Sequence, residues 1–377
     1  MFKRNNNAVI AAIMLAVLLL LLITVYATAS VNEAMSVSAR AAALYQPDTG
    51  RFIYSKNGKA RLPMASTTKI MTALVAIERT DSLDEAVPIA EEAVGTEGSS
   101  AYLKEGDVVT MEELLYALLL GSANDAAVAI AYHIGGDVEG FAALMNEKAA
   151  QLGLSDTHFV NPHGLDDEEH YTTAEDLARL GAAALSSETF REICSTYKKT
   201  IVTEERRRTY INHNKLLKLC DGAIGIKTGY TKRCGRCLVG AAERDGVALV
   251  SVTLDAPRDW SDHEQMLEYG FDTFERVTLA EVYEYSYDLP VEGTEGMTVR
   301  VGNTEELSLI VEKGEHRREV TVDLPESVSL PVKEGDALGE VRFTLDGEDV
   351  GGVRLVAMEG AEEEKRGFFD FLKGLFK

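Results

Sequence analysis

Positive charge is scarce in this chain. Its 377 residues carry 38 Lys and Arg against 61 Asp and Glu, a formal net charge of −23. A surface of that sign repels a phosphate polymer, which excludes general nucleic-acid affinity. Cysteine is sparse as well. Of Cys194, Cys220, Cys234 and Cys237 only the last two form a C-x-x-C pair, whereas a zinc site of four cysteines normally needs two such pairs. No G-x-G-x-x-G or Walker loop is present, and His133, His158, His163 and His170 lack the H-E-x-x-H spacing of a helical zinc site. Nucleotide and metal chemistry are thus unsupported, and no cofactor is expected.

What the chain does contain is three short motifs in order: Ser66-Thr67-Thr68-Lys69, Ser122-Ala123-Asn124 and Lys227-Thr228-Gly229. Singly they carry little weight. Ser195-Thr196-Tyr197-Lys198 is a second S-x-x-K and Ser30-Val31-Asn32 a second S-x-N. Context selects Ser66: it follows Pro63-Met64-Ala65 and opens an apolar run, Ile70, Met71, Leu74, Val75 and Ile77, which predicts a buried helix starting near the serine. A hydroxyl there sits at the positive end of the helix dipole, and a lysine three residues on shares its face. Burial and neighbouring cations lower a lysine pKa, so Lys69 is the candidate base for a serine nucleophile that needs no histidine. His163 and Asp176, a tempting His-Asp pair, are read as structural.

Ser122 and Asn124 fall between two apolar stretches, 114–121 and 126–130, and read as a turn pinned between buried helices. Ser122 could pass a proton from there, and Asn124 could orient Lys69 or a substrate amide while Asn124 and Asp125 also cap the following helix. Lys227 and Thr228 precede two strand-like runs, 237–242 and 247–254, joined at Arg244-Asp245-Gly246, a predicted hairpin. On a sheet edge, the Lys227 ammonium and Thr228 hydroxyl can grip a carboxylate, and Gly229 lets backbone approach a ligand.

With these motifs, the hairpin-like Ala43–Gly50 and the central Asn161-Pro162-His163-Gly164-Leu165-Asp166, the chain resembles the low-molecular-mass penicillin-binding proteins, the serine D-alanyl-D-alanine carboxypeptidases. The resemblance implies an α+β domain of the β-lactamase/DD-peptidase type over roughly 35–275, an antiparallel sheet flanked by helices with an all-helical part. It implies Ser66 as the acylated nucleophile, Lys69 as its base and Ser122 as proton relay. Asn124 would orient, Lys227 and Thr228 would clamp the carboxylate, and Gly229 with Tyr230 would line the substrate strand. The oxyanion hole would use the backbone N–H groups of Ser66 and Tyr230. Peptidoglycan stem peptides ending in D-Ala-D-Ala are the implied substrate and β-lactams the implied inhibitors. No acidic residue in an E-x-x-L-N context lies between Ser122 and Lys227, which disfavours a β-lactamase. A β-lactam sensor or wall scaffold without turnover, and an endopeptidase, stay open.

The ends supply an address. Lys3 and Arg4 precede an apolar run from Ala8 to Tyr26 and an Ala27-Thr28-Ala29 cleavage pattern, so residues 1–29 read as a signal peptide or a membrane anchor. After the acidic Glu362–Glu364, the side chains of Phe368, Phe369, Phe371, Leu372, Leu375 and Phe376 fall on one helical face, so 359–377 reads as a linker and an amphipathic membrane-surface helix. The expected location is the outer face of the cytoplasmic membrane. Between the ends, a catalytic domain over 31–275 gives way to short alternating segments over 277–358, including 298–301, 307–311, 319–322 and 353–356, which argue for a small β-sandwich.

Overall fold

The computed structural model describes residues 35–202 and 207–362, in two units that part between Asp272 and Thr273. The signal or anchor segment and the aromatic helix lie outside the described residues. Among the described residues no helix is long and apolar enough to cross a membrane.

The first unit begins with β1 (Ala41–Gln46) and β2 (Arg51–Lys56), the hairpin predicted around Pro47–Gly50. A one-turn 3₁₀ helix, Ala65–Thr68, leads into α1 (Lys69–Arg79). A small ribbon, β3 (Ala86–Pro88) with β4 (Val108–Thr110), precedes α2 (Met111–Leu119), α3 (Asn124–Gly135), α4 (Val138–Gln151), α5 (Ala174–Leu185) and α6 (Glu188–Ser195). A second ribbon, β5 (Lys198–Val202) with β6 (Arg207–Ile211), and a single turn α7 (Leu216–Leu219) come before β7 (Ala223–Thr231), β8 (Gly235–Arg244) and β9 (Val247–Leu254). The closing helix is α8 (Asp259–Thr273).

Five strands make one antiparallel sheet in the order β2-β1-β9-β8-β7. The start of this unit and its later strands thus meet side by side. Strand β1 is buried on both faces over Ala41–Leu44, and its three alanines let α5 pack closely against the sheet. The β8–β9 turn places both Asp245 (φ 49°) and Gly246 (φ 76°) in the left-handed region, the geometry that the right-handed strand twist favours in a two-residue hairpin. Helix α1 is buried from Lys69 through Ala76 and packs against α2, α3, α4 and α5. A helix enclosed on all sides is apolar all round apart from groups with a task. Lys69 and Thr72 are the exceptions, Thr72 donating to Pro162 O (2.6 Å).

Among its described residues the second unit is all β. Strands β10 (Phe274–Ala280), β11 (Ser286–Pro290), β12 (Thr298–Asn303), β13 (Leu307–Glu312), β14 (Arg318–Asp323), β15 (Ala337–Leu345) and β16 (Glu348–Ala357) form a five-stranded antiparallel sheet, β11-β12-β16-β15-β14, and a ribbon β10-β13. Alternate residues Val299, Val301, Val341, Phe343, Val353 and Leu355 fill its core. The four segments read from the sequence are β12, β13, β14 and β16; the second layer is no more than a two-stranded ribbon.

Candidate active site

Ser66 stands second in the 3₁₀ turn, three residues ahead of the first residue of the α-helix proper. The Thr67 hydroxyl donates to Met64 O (2.6 Å) and the Thr68 hydroxyl to Ala65 O (2.8 Å), so the two threonines hold the turn's carbonyls. Gly164 closes on the same turn. With φ 88°, it brings its backbone so near that a Cβ would fall 1.9 Å from Ala65 O, and only glycine fits.

Lys69 is fully buried and has three partners: Asn124 Oδ1 (2.6 Å), His163 O (2.6 Å) and Ser66 Oγ (3.0 Å). The first two are pure acceptors. They take two N–H groups, so in the neutral amine the lone pair is left pointing at the Ser66 hydroxyl, which donates to it. Burial, and then the nearby Lys227 cation, hold the Lys69 pKa well below the ordinary lysine value; Asp125 opposes this weakly. A buried amine with its lone pair on a hydroxyl is a general base.

Ser122 and Asn124 come from the turn between α2 and α3, as the sequence suggests. Ser122 has φ 57°, a left-handed conformation that costs a non-glycine residue about 1–3 kcal/mol and collects at functional sites. It lines the cleft with Ser66 and Ser99. Among the described residues no hydrogen bond joins Ser122 Oγ to Ser66 or Lys69. The capping reading of Asn124 fails: α3 starts at Asn124 after Ala123, with no side-chain cap. Its amide is instead stretched between two tasks, accepting from Lys69 and donating to Glu97 O (2.5 Å). Asp125, read from the sequence only as a partner of Asn124 in that cap, accepts from Ala101 N, Leu103 N and the Ser100 hydroxyl. It thereby fixes the loop that brings Ser99 to the cleft.

Strand β7 is a sheet edge, and Thr228, Gly229 and Tyr230 line the cleft there. Lys227 stands behind them, 1% exposed, its ammonium donating to Thr228 O (2.9 Å). Burial pushes its pKa down to about 7. Of the two residues expected to clamp a carboxylate, Thr228 therefore faces the cleft and Lys227 lies buried behind it. Left-handed non-glycine residues accompany all three motifs, Ala65 (φ 47°) before Ser66, Ser122 itself, and Ile226 (φ 94°) before Lys227. The cleft they share measures about 410 Å³.

His163 contributes its carbonyl; its ring, accepting from Leu165 N, is driven down to about 3 by burial. Asp176 is far from forming a pair with it: the carboxylate accepts from Asp156 N and the Thr157 hydroxyl. His170 is buried and neutral. Because the Thr68 hydroxyl hydrogen goes to Ala65 O and Val160 N–H goes to His170 Nδ1, the ring proton sits on Nε2 and is donated to Thr68. The four cysteines are buried free thiols, and Cys234 donates to Gly235 O while receiving a hydrogen bond from the Thr231 hydroxyl. No cluster of metal-binding residues occurs among the described residues. The decoy serine, Ser195, donates to Glu192 O at the end of α6.

A helix-borne serine with a buried lysine base, facing a Lys-Thr-Gly edge strand across a cleft, defines a serine acyl-transfer enzyme of the β-lactamase/DD-peptidase fold. A family model described as D-alanyl-D-alanine carboxypeptidase matches residues 27–258, and one described as the penicillin-binding protein 5 C-terminal domain matches 274–363. The D-alanyl-D-alanine carboxypeptidase DacF of Bacillus subtilis is 32% identical over 345 residues, covering 89% of this chain and 88% of the relative. DacC of Escherichia coli, carrying the same description, is 32% identical over 363 residues, 92% and 89% of the two chains. Among solved structures, penicillin binding protein 5 from Haemophilus influenzae superposes with a TM-score of 0.64 at 28% identity, over 87% of this chain and 98% of that one. The Streptomyces K15 DD-transpeptidase gives 0.60 at 35% identity, over 63% and 98%. The chain belongs to the D-alanyl-D-alanine carboxypeptidase family and is a serine-type DD-peptidase.

Proposed function

We propose that the enzyme removes the terminal D-alanine from peptidoglycan stem pentapeptides through an acyl-enzyme on Ser66. The Ser66 hydroxyl attacks the penultimate carbonyl as its proton passes to Lys69. The oxyanion is met by the backbone N–H groups of Ser66 and Tyr230, a contribution of about 3–4 kcal/mol per donor where measured in other enzymes. Collapse of the tetrahedral intermediate breaks the peptide bond, and the departing amine takes a proton from Lys69 by way of Ser122. Thr228, backed by Lys227, holds the departing residue's carboxylate, and water then hydrolyses the ester. The observation that carries this reading is the Lys69 amine with two protons committed to Asn124 and His163 and its third position on Ser66 Oγ.

The same serine would be acylated by β-lactams. Intact-mass and peptide mapping after benzylpenicillin treatment should find one adduct on Ser66, absent from Ser66→Ala; an adduct elsewhere overturns the assignment. Continuous D-alanine release from a pentapeptide separates a carboxypeptidase from a sensor, which would stop after one turnover. We also place the enzyme at the outer face of the cytoplasmic membrane. This rests on the apolar run 8–26 and the apolar face of Phe368–Phe376. Protein truncated after residue 358 should lose flotation with anionic lipid vesicles that the mature full-length chain retains.

A further inference from the structure

The cleft does not end at the catalytic motifs. From Ser66 it continues past Tyr230 to Lys215, Arg236, Asp259 and Trp260. None of these has a task in the chemistry above. The Trp260 ring is flanked by two cations, Lys215 Nζ 5.8 Å and the Arg236 guanidinium carbon 5.9 Å from its centroid. The arrangement is built. Asp259, 4% exposed, forms an ion pair with Arg236 at 2.9 Å through one carboxylate oxygen and accepts from the Trp260 backbone N–H at 3.0 Å through the other. One buried carboxylate thus holds the Arg236 guanidinium beside the Trp260 backbone, and the remaining guanidinium N–H groups can meet a ligand from the exposed side. No carboxylate among the described residues pairs with Lys215.

The surrounding sequence has the opposite sign from the rest of the chain. Residues 198–236 contain eleven Lys and Arg against three Asp and Glu, in a protein of net charge −23. On the β5–β6 ribbon such cations are already matched, Lys199 by Glu112 and Arg208 by Asp107 and Glu113. Of the cations in this stretch, Lys215 and the outer edge of Arg236 are the ones that line the cleft and face a ligand there. An aromatic face between two cations suits an aliphatic side chain that ends in a carboxylate.

We propose that Lys215, Arg236 and Trp260 form a second carboxylate subsite, which selects stem peptides whose diamino acid, upstream of D-Ala-D-Ala, carries a free side-chain carboxylate, as in diaminopimelate. This rests on the carboxypeptidase reading and adds a specificity to it. The aliphatic carbons lie on Trp260, and the carboxylate is shared by Lys215 and Arg236. The terminal carboxylate remains at Thr228 and Lys227, so the substrate is held at two charged points along one groove. Hydrogen bonds to a charged group are worth about 1.5–3 kcal/mol, which sets the expected preference at roughly 10- to 100-fold.

The test compares two synthetic pentapeptides identical except that the diaminopimelate side-chain carboxylate is free or amidated. For the unmodified enzyme kcat/KM should favour the free acid by about tenfold or more. Lys215→Glu and Arg236→Gln should bring the ratio close to one, chiefly through KM, while the rate of acylation by benzylpenicillin stays unchanged. Trp260→Ala should raise KM for both peptides. Equal kcat/KM for the two peptides in the unmodified enzyme overturns the subsite, as does a preference that survives both charge variants. If benzylpenicillin acylates but neither peptide is cleaved, the carboxypeptidase reading fails first and the subsite falls with it.

Discussion

A Cβ placed on Gly229 would lie 3.0 Å from the backbone nitrogen of Ser66, 3.1 Å from Ala65 Cβ and 3.1 Å from Met64 O. The edge strand and the nucleophile's turn are in direct contact, with no room for a methyl group. That contact aligns the Ser66 N–H with the substrate strand. Gly229→Ala should therefore fold, because the φ of Gly229 does not demand glycine, yet acylate more slowly. A loss of about 10- to 100-fold in the second-order rate with benzylpenicillin is expected, from a displacement of a few tenths of an ångström at an oxyanion donor. An unchanged rate would mean the strand's spacing from Ser66 has no catalytic weight.

The two buried lysines predict the pH profile. Lys69 must be neutral to act as base, and its pKa is held well below the ordinary value. Lys227 must be charged to back the clamp, and its pKa stands at about 7. For the free enzyme, kcat/KM should rise as Lys69 loses its proton and fall as pH climbs through the neutral range, a bell whose limbs belong to the pair. A profile still climbing at pH 10 would show that neither lysine is shifted.

Lys227 also bears on stability. A buried lysine whose pKa falls from 10.5 to about 7 destabilises the fold fully below pH 7, and the cost disappears as pH rises toward the unfolded value. Lys227→Met removes the buried charge. It should raise the melting temperature more at pH 6 than at pH 9 while cutting kcat/KM for peptide by two orders of magnitude or more, about 3 kcal/mol. Stability unaltered at both pH values would contradict the buried, depressed Lys227.

All four cysteines are buried, so exposure does not rank their reactivity and acidity does. The Cys237 thiol beside it, followed by Thr231, lowers the Cys234 pKa to about 7 against its burial, whereas burial raises Cys194 to about 12 and Cys220 to about 11. Iodoacetamide at pH 8 should label Cys234 first, as read by peptide mapping in native buffer. Prior labelling of Cys194 or Cys220 would show that the Thr231–Cys234 turn does not support a thiolate.

The catalytic motifs were legible because each is a contiguous string whose neighbours reveal its setting. Pro63-Met64-Ala65 and the apolar run after Lys69 picked Ser66 over Ser195, and Arg244-Asp245-Gly246 marked a hairpin that needs left-handed residues. What escaped was anything that depends on partners distant in the chain. Asp125 looks like an ordinary first-turn acid, yet it holds the 100–103 loop. Asn124 is the exception: the sequence suggests it as an orienter of Lys69, from which it does accept, and only the cap read beside that role is absent. Trp260 and Arg236 carry no motif at all.

The sequence by itself determined the chemical groups and their order: a serine, a lysine one helical turn on, a second serine, and a Lys-Thr-Gly strand, followed by a β-rich unit. These are local properties, set by side-chain type and periodicity. Only the tertiary structure decided what state those groups are in. The depressed pKa values of Lys69 and Lys227 and the left-handed backbone of Ala65, Ser122 and Ile226 come from desolvation, charge repulsion and packing. Those effects arise between residues tens to hundreds of positions apart, and they exist only once the chain has folded.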